Sequence, residues 1–462
     1  MSANNSIPTE LGTERIGKLL KQYALPAIIA QTASSLYNMV DSIFIGQGVG
    51  PLAISGLAVT FPLMNLSTAF GTLVGAGAAT MLSVLLGQKN YKAANKVLGN
   101  VVSLNVIIGL IFMAVALIFI DPILYFFGAS ENTLPYAKEY ISIILIGNVI
   151  THLYFGLNAA MRSSGFPKKA MMLTIFTVAF NTVLDPIFIF AFDLGIAGAA
   201  WATVLAQTVA MILVMAHFSN RKRAFHFEKG IFKLDLRVAK DSLVIGMGPF
   251  LMNAAACLVT LFINQQLRDY SGDLGIGAYG ICNRFIFMFI MICMGLNQGM
   301  QPIAGYNYGA RQYSRVKEVF YQTAKLATIV TTICFAIGMF IPKLAAGIFT
   351  HDEALLEMSA EGMRLLVIGF PIVGYQMIGT NFFQSLGMVK KSVILSLSRQ
   401  ILFLLPLLYA LPLWHGANGV WLSFPVSDVL SALLTAILLR RLFSKFNKLK
   451  DGDEPSILGS NL

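Results

Sequence analysis

Long apolar stretches run the length of this chain, separated by short polar or glycine-containing breaks. They predict helices at 22–46, 52–86, 97–121, 135–160, 168–192, 196–218, 239–267, 274–305, 317–341, 355–386, 391–412 and 417–439. A helix rises 1.5 Å per residue, so about 20 apolar residues cross a bilayer core, and the longer stretches imply tilt or extension past it. The pattern describes an all-α polytopic membrane protein with twelve transmembrane helices.

The two halves repeat at an offset near 222. Gly87-Gln-Lys-Asn-Tyr91 matches Gly309-Ala-Arg-Gln-Tyr313, and Ser164-Gly165-Phe-Pro-Lys168-Lys169 matches Leu386-Gly387-Met-Val-Lys390-Lys391. Gly195-Ile-Ala-Gly198-Ala-Ala-Trp201 matches Gly416-Ala-Asn-Gly419-Val-Trp421 with one residue deleted, and Pro26 and Asp41 align with Pro249 and Asn264. Six helices per half bring each half back to the side it started from, so the repeat is parallel. The expected architecture is two pseudo-symmetric six-helix bundles around a central cleft. Its expected boundaries are a first bundle at 1–218, a basic linker at 219–238, a second bundle at 239–443 and a polar tail at 444–462.

Composition agrees with that picture. Hydrophobic residues make up 56% of the chain and charged ones 12%, about half the roughly 25% of a soluble domain. A formal charge of +11 would suit a nucleic-acid binder, but the basic residues gather in short segments on one side of the spans. Only Lys138, Arg268 and Lys343 fall in segments on the other side. By the positive-inside rule both termini are expected in the cytoplasm, and no nucleic-acid partner is expected. No cleaved signal peptide is expected, because the first twenty residues are polar. Cys257, Cys282, Cys293 and Cys334 lie in apolar helices without a CxxC, so they read as small core residues.

Enzyme and nucleotide signatures are missing. Gly275-Ile-Gly277-Ala-Tyr-Gly280 opens a membrane helix instead of following a strand, which removes the dinucleotide context and leaves close helix packing as its reading. No GxxxxGK[ST] segment is present, and His152, His217, His226, His351 and His415 have no metal-ligand spacing. His152 alone is clearly within a span, where a hydrogen-bonded structural role is expected. Neither an ATP-driven pump nor an intramembrane enzyme is expected, and no bound cofactor.

The chemistry therefore rests on ionisable groups inside the spans. In the first half these are Asp41 and Asp185, the latter in Asn181-Thr-Val-Leu-Asp185-Pro186, where Asn and Asp share one helical face and proline removes a backbone hydrogen bond. A mid-membrane carboxylate costs about 2.5–3.5 kcal/mol, whereas interhelical polar contacts return about 0.6 kcal/mol on average, so structural adhesion does not account for two of them. Counting rise per residue places Asp41 about 28 Å, Asp185 about 26 Å, and Asn181 and Thr203 about 20 Å from the inner face. One polar cluster is expected. Two close carboxylates in a low-dielectric setting do not both stay ionised without a cation, so the cluster can hold a proton or a small hard cation. The second half has Asn264 opposite Asp41 and apolar residues opposite Asn181 and Asp185. Its own charges are Arg284, Arg364, Arg399, Glu361 and Asp428, which read as internal salt bridges.

Along nearly its whole length the chain resembles the multidrug and toxic compound extrusion (MATE) transporters, most closely the prokaryotic DinF-like branch. The resemblance rests on Asn181-x-x-x-Asp185-Pro186, on Gly195-Ile-Ala-Gly198-Ala-Ala-Trp201-Ala-Thr203, on Pro26 with Asp41-x-x-Phe44-Ile45-Gly46, and on the twelve-span repeat. It implies export of bulky, often cationic, amphipathic small molecules in exchange for H⁺ or Na⁺, by a chain acting as a monomer in a prokaryotic inner membrane. It also implies that Asp41, Asn181, Asp185 and Thr203 form the coupling site, with H⁺ or Na⁺ as the ion, and that Tyr37, Met64 and Asn158 line the substrate cleft. The competing reading is a flippase for a lipid-linked metabolite in a related two-bundle fold, which needs a strongly cationic cleft. Arg284, Arg364 and Arg399 could contribute to one, but the first half has no deep basic residue to match them.

Overall fold

The computed structural model describes residues 8–454 apart from 222, 224, 229, 231 and 351, without the side chains of 38, 39, 51 and 273. His351 and the tail beyond 454 thus lie outside the described residues. Among those described, the chain forms helices and no strand.

In the first half α1 spans Ile16–Gly48, α2 Pro51–Gly87 and α3 Tyr91–Ile118. Helix α4 is a pair, Leu134–Ile146 and Asn148–Ser163, bent by 53° at Gly147. Helix α5 runs from Pro167 to Pro186 and continues as a π-helical turn, Ile187–Ala191, and α6 spans Gly195–Ser219. In the second half α7 (Leu236–Gly272) meets α8 (Leu274–Gly309) at Gly272, and α9 spans Tyr313–Phe340. Helix α10 is a second bent pair, Glu353–Val367 and Phe370–Ser385, at 55°; α11 spans Val389–His415 around a π turn at Ser398–Leu404; α12 spans Ala417–Phe446.

Among the described residues nine helices are long and apolar enough to cross a membrane, and the two bent pairs raise the number to eleven. The twelfth is α1, 33 residues long, with three serines and three glutamines among its residues. All twelve expected spans are therefore helical, with ends within a few residues of those read from the sequence.

The repeat is visible in the backbone itself. Left-handed residues recur at the offset of the sequence repeat: Lys89 and Arg311, each with φ 59°, and Gly50 and Gly272, at 111° and 63°. Lys89 and Arg311 turn the chain between α2 and α3 and between α8 and α9, where few non-glycine residues adopt positive φ. The bends at Gly147 and Gly369 fall at the same offset. So do the short helices Ile120–Phe126 and Pro342–Gly347.

Contacts divide the chain into two compact units. Among the described residues, one holds Ile29–Phe250 with those before Glu14; the other holds Glu14–Ile28 with those from Leu251 onward. The first part of α7 accordingly packs in the first unit, against α2. A Cβ at Gly77 would run into the Ser242 carbonyl and one at Gly246 into that of Leu73, so glycine is what allows this crossing. The first part of α1 packs in the second unit in the same manner, with Gly295 and Gly299 of α8 against Ile28 and Ala24.

The segment between α6 and α7 is anchored to α3. Asn95 Nδ2 donates to Glu228 Oε1 at 2.8 Å, Ser103 Oγ to the Phe232 carbonyl at 2.7 Å, and the Asp235 amide to Asn100 Oδ1 at 3.1 Å. The visible part of the tail is held too: Tyr313 Oη donates to the Asp453 carbonyl, and the Gly452 amide to that of Arg311.

Candidate functional site

Three helices of the first unit bring the expected residues together. Tyr37 and Asp41 are one turn apart on α1, as are Asn181 and Asp185 on α5, so each pair shares a face. Thr203 enters from α6. Asp185 precedes Pro186, which lacks an amide, and the helix beyond it widens into the π turn. Ile189 of that turn is buried against Gly48 of α1. On α6, a Cβ at Gly198 would stand 2.8 Å from the Phe188 carbonyl oxygen. The two glycines let α1 and α6 close on the end of α5 and bring its carboxylate against them.

Asp41, Asn181, Asp185 and Thr203 are all buried, Asp185 completely. Tyr37 Oη and Thr203 Oγ1 share a hydrogen bond of 2.9 Å, and Asn181 Nδ2 donates to Thr203 Oγ1 at 3.2 Å. The acceptors are left over. Asp41 Oδ1, Asn181 Oδ1 and both Asp185 oxygens are buried without a hydrogen-bond partner. Neither carboxylate forms an ion pair among the described residues. The two lie within electrostatic reach of each other and of the Tyr37 and Tyr140 hydroxyls. Around them Ile45, Leu57, Tyr140, Ile189 and Ile196 form an apolar shell.

A buried polar atom without a partner costs about 1–3 kcal/mol, more when charged, and native folds leave few of them. The cluster thus leaves four buried oxygen acceptors without donors, two carboxylates among them, and a positive charge would satisfy them. Oxygen-only donors suit a proton or a hard cation, not a soft metal. No group of three or more His, Cys, Asp or Glu side chains able to hold a metal occurs among the described residues.

The other expected residues sit elsewhere. Met64 packs between two apolar clusters of the first unit and receives a contact from Thr60 Oγ1 at 3.7 Å. Asn158 is buried and donates to the Ala170 carbonyl at 3.1 Å, tying α4 to α5. Of the three, Tyr37 alone joins the polar cluster. His152 is fully buried and bonds the Ser67 carbonyl at 2.8 Å, while Ser67 Oγ bonds Asn148 Oδ1, so this histidine holds α4 to α2. In the second unit Arg399 Nε donates to Asp428 Oδ1 at 2.7 Å, and the π turn of α11 presents the Arg399 carbonyl to Ser427 Oγ. The expectation of internal salt bridges applies to this pair only. Arg284, Arg364 and Glu361 are exposed and form no ion pair among the described residues. Tyr140 was not singled out by the sequence, since an aromatic residue in an apolar span carries no distinguishing signal.

Known proteins resemble this chain over most of its length. The family model described as MatE matches residues 26–187 and again residues 249–410. The multidrug export protein MepA of Staphylococcus aureus is 28% identical over 422 residues, covering 91% of this chain and 93% of that one. MepA of Staphylococcus haemolyticus is 26% identical, covering 92% and 93%. Among solved structures, the MATE multidrug transporter DinF-BH superposes with a TM-score of 0.87 at 36% identity, covering 95% of this chain and 98% of that one. An outward-facing multidrug resistance transporter of the MOP superfamily superposes with a TM-score of 0.90 at 23% identity, covering 96% and 100%.

Proposed function

The chain belongs to the MATE family and is a multi-pass membrane transporter, not an enzyme; from that premise we propose that it exports drugs in exchange for H⁺ or Na⁺ through the first unit. The cargo is a bulky, amphipathic and usually cationic small molecule. The coupling ion binds among Asp41, Asp185 and Asn181, and the chain works as a monomer in the cytoplasmic membrane with both termini inside.

One observation carries the reading: the convergence of four unpartnered buried oxygens on α1 and α5. Interhelical adhesion needs donors matched to acceptors, and this cluster has an excess of acceptors, two of its groups carboxylates, which a proton or a cation would satisfy. Binding would draw α1 and α5 together and release would let them part. A ligand shifts a conformational equilibrium only by binding its two states differently, and a site shared between two helices meets that condition. Pro26 stands two residues before α1 leaves one compact unit for the other, and Pro186 opens the π turn of α5, so each helix has a place to bend.

Proteoliposomes loaded with an organic cation such as rhodamine 6G test the proposal under ΔpH and ΔNa⁺ imposed separately. Uphill movement driven by either gradient supports antiport. Equilibration of the dye, unaffected by both gradients, contradicts it.

A further inference from the structure

Apart from the polar cluster, the second unit has a groove of about 350 Å³ between the first part of α1 and helices α8 and α9. That size is within the range of small-molecule sites. Its lining is apolar, including Leu25 and Ile28 of α1, Ile292 of α8 and Ile329 of α9, except at one end, where Lys21 and Gln322 stand. Leu25 and Ile329 are each 47% exposed within segments long enough to span the bilayer, so the groove opens sideways onto lipid.

The polar end has a definite sign. Lys21 is about 7.5 Å along α1 from Ile16, at the basic end of the helices. Lys325 follows Gln322 by three residues on the same flank of α9, and its long stem lets the charge reach the interface. Neither lysine has an ion pair or hydrogen bond among the described residues. The acidic neighbours do have partners: Glu14 pairs with Lys18 at 2.9 Å, and Glu318 accepts from Gln322 Nε2 at 2.9 Å. Lys21, which lines the trough, and Lys325, about one turn along α9 from its polar end, favour an anionic amphiphile over a cationic one.

We infer that this groove binds an anionic phospholipid of the leaflet on the basic side, with an acyl chain along Leu25, Ile28 and Ile329 and the phosphate between Lys21 and Lys325. The lipid sits on the part of α1 that packs with the second unit, away from Asp41. Each lysine near a membrane surface contributes about a fivefold preference for anionic lipid, so the pair gives about twenty-five-fold.

The test uses the full-length chain in detergent micelles, titrated with phosphatidylglycerol or with phosphatidylcholine of the same acyl chains, and native mass spectrometry of the lipid retained. Wild type should hold one phosphatidylglycerol at least tenfold more tightly than phosphatidylcholine, and inorganic phosphate should not displace it. The double variant K21Q/K325Q should bring the two lipids to parity, and K21R/K325R should keep the preference. Gly17 lines the groove mouth, and a Cβ there meets nothing closer than Gln322 Oε1 at 3.4 Å, so Gly17→Phe should fold, fill the mouth and weaken both lipids alike. Equal retention of the two lipids by wild type, competition by inorganic phosphate, or unchanged retention in either K21Q/K325Q or Gly17→Phe would overturn the assignment.

Discussion

Asn181 Nδ2 donates to Thr203 Oγ1 at 3.2 Å, and this one bond commits the amide's NH₂ group to α6 and leaves the Asn181 carbonyl oxygen buried and unpartnered. The Tyr37 hydroxyl braces the same threonine at 2.9 Å. Together they set the orientation of an acceptor on α5 from helices α1 and α6.

Thr203→Val keeps the shape and removes the hydroxyl. The Asn181 amide is then free to present its NH₂ group to the carboxylates, which opposes a bound cation. A hydrogen bond of this kind is worth about 0.5–1.5 kcal/mol, so apparent affinity for the coupling ion should fall about 2- to 10-fold with the maximal efflux rate little changed. Thr203→Ser should retain wild-type affinity. Ion titrations of driven efflux that are identical for Thr203→Val and wild type would show that the bond orients nothing.

Gly198 and the π turn of α5 make a second test. A Cβ at position 198 would lie 2.8 Å from the Phe188 carbonyl oxygen, and backbone cannot step aside as a flexible side chain can. Gly198→Ala should therefore displace the turn and destabilise the protein by about 1–3 kcal/mol, the usual cost of overpacking. The change should appear as a lower thermal melting midpoint together with weaker ion dependence, since the turn adjoins Asp185. A lower midpoint with unaltered ion dependence would separate the turn from the site.

In the second unit, Asp428→Leu leaves Arg399 without its carboxylate. Breaking a fully buried pair costs about 3–5 kcal/mol, but the Arg399 side chain retains 26% exposure, so about 1–3 kcal/mol is expected here. Melting should fall while ion dependence stays at the wild-type value, and the double variant R399M/D428L should recover part of the loss. A changed coupling ratio in Asp428→Leu would move the ion machinery into both units.

The helices and their repeat were legible in the sequence because both are written in long-range patterns. Apolar runs of this length have one physical outlet in a bilayer, and Lys89 and Arg311 mark equivalent turns in both halves. The polar cluster was legible in its members, since rise per residue places Asp41, Asn181, Asp185 and Thr203 at comparable depth. Its bonding was not. Which atom of Asn181 is engaged depends on the approach of α6 to α5, which Gly198 permits but does not advertise. Pro186 announced a disturbance in α5, and packing against Gly48 and Gly198 decided that it became a π turn. Depth counting treated Arg284, Arg364 and Arg399 alike, and only the π turn of α11 distinguishes the one that meets Asp428.

The central claim is that Asp41 and Asp185 receive the coupling ion. It is tested most directly by gradient-driven efflux of an organic cation from proteoliposomes containing Asp41→Asn or Asp185→Asn, after each variant's melting curve shows that it is folded. Asparagine keeps the volume and removes the charge. The expected result is loss of at least tenfold in gradient-driven efflux for each variant, with dye binding retained. Efflux that remains fully coupled in both variants would contradict the account.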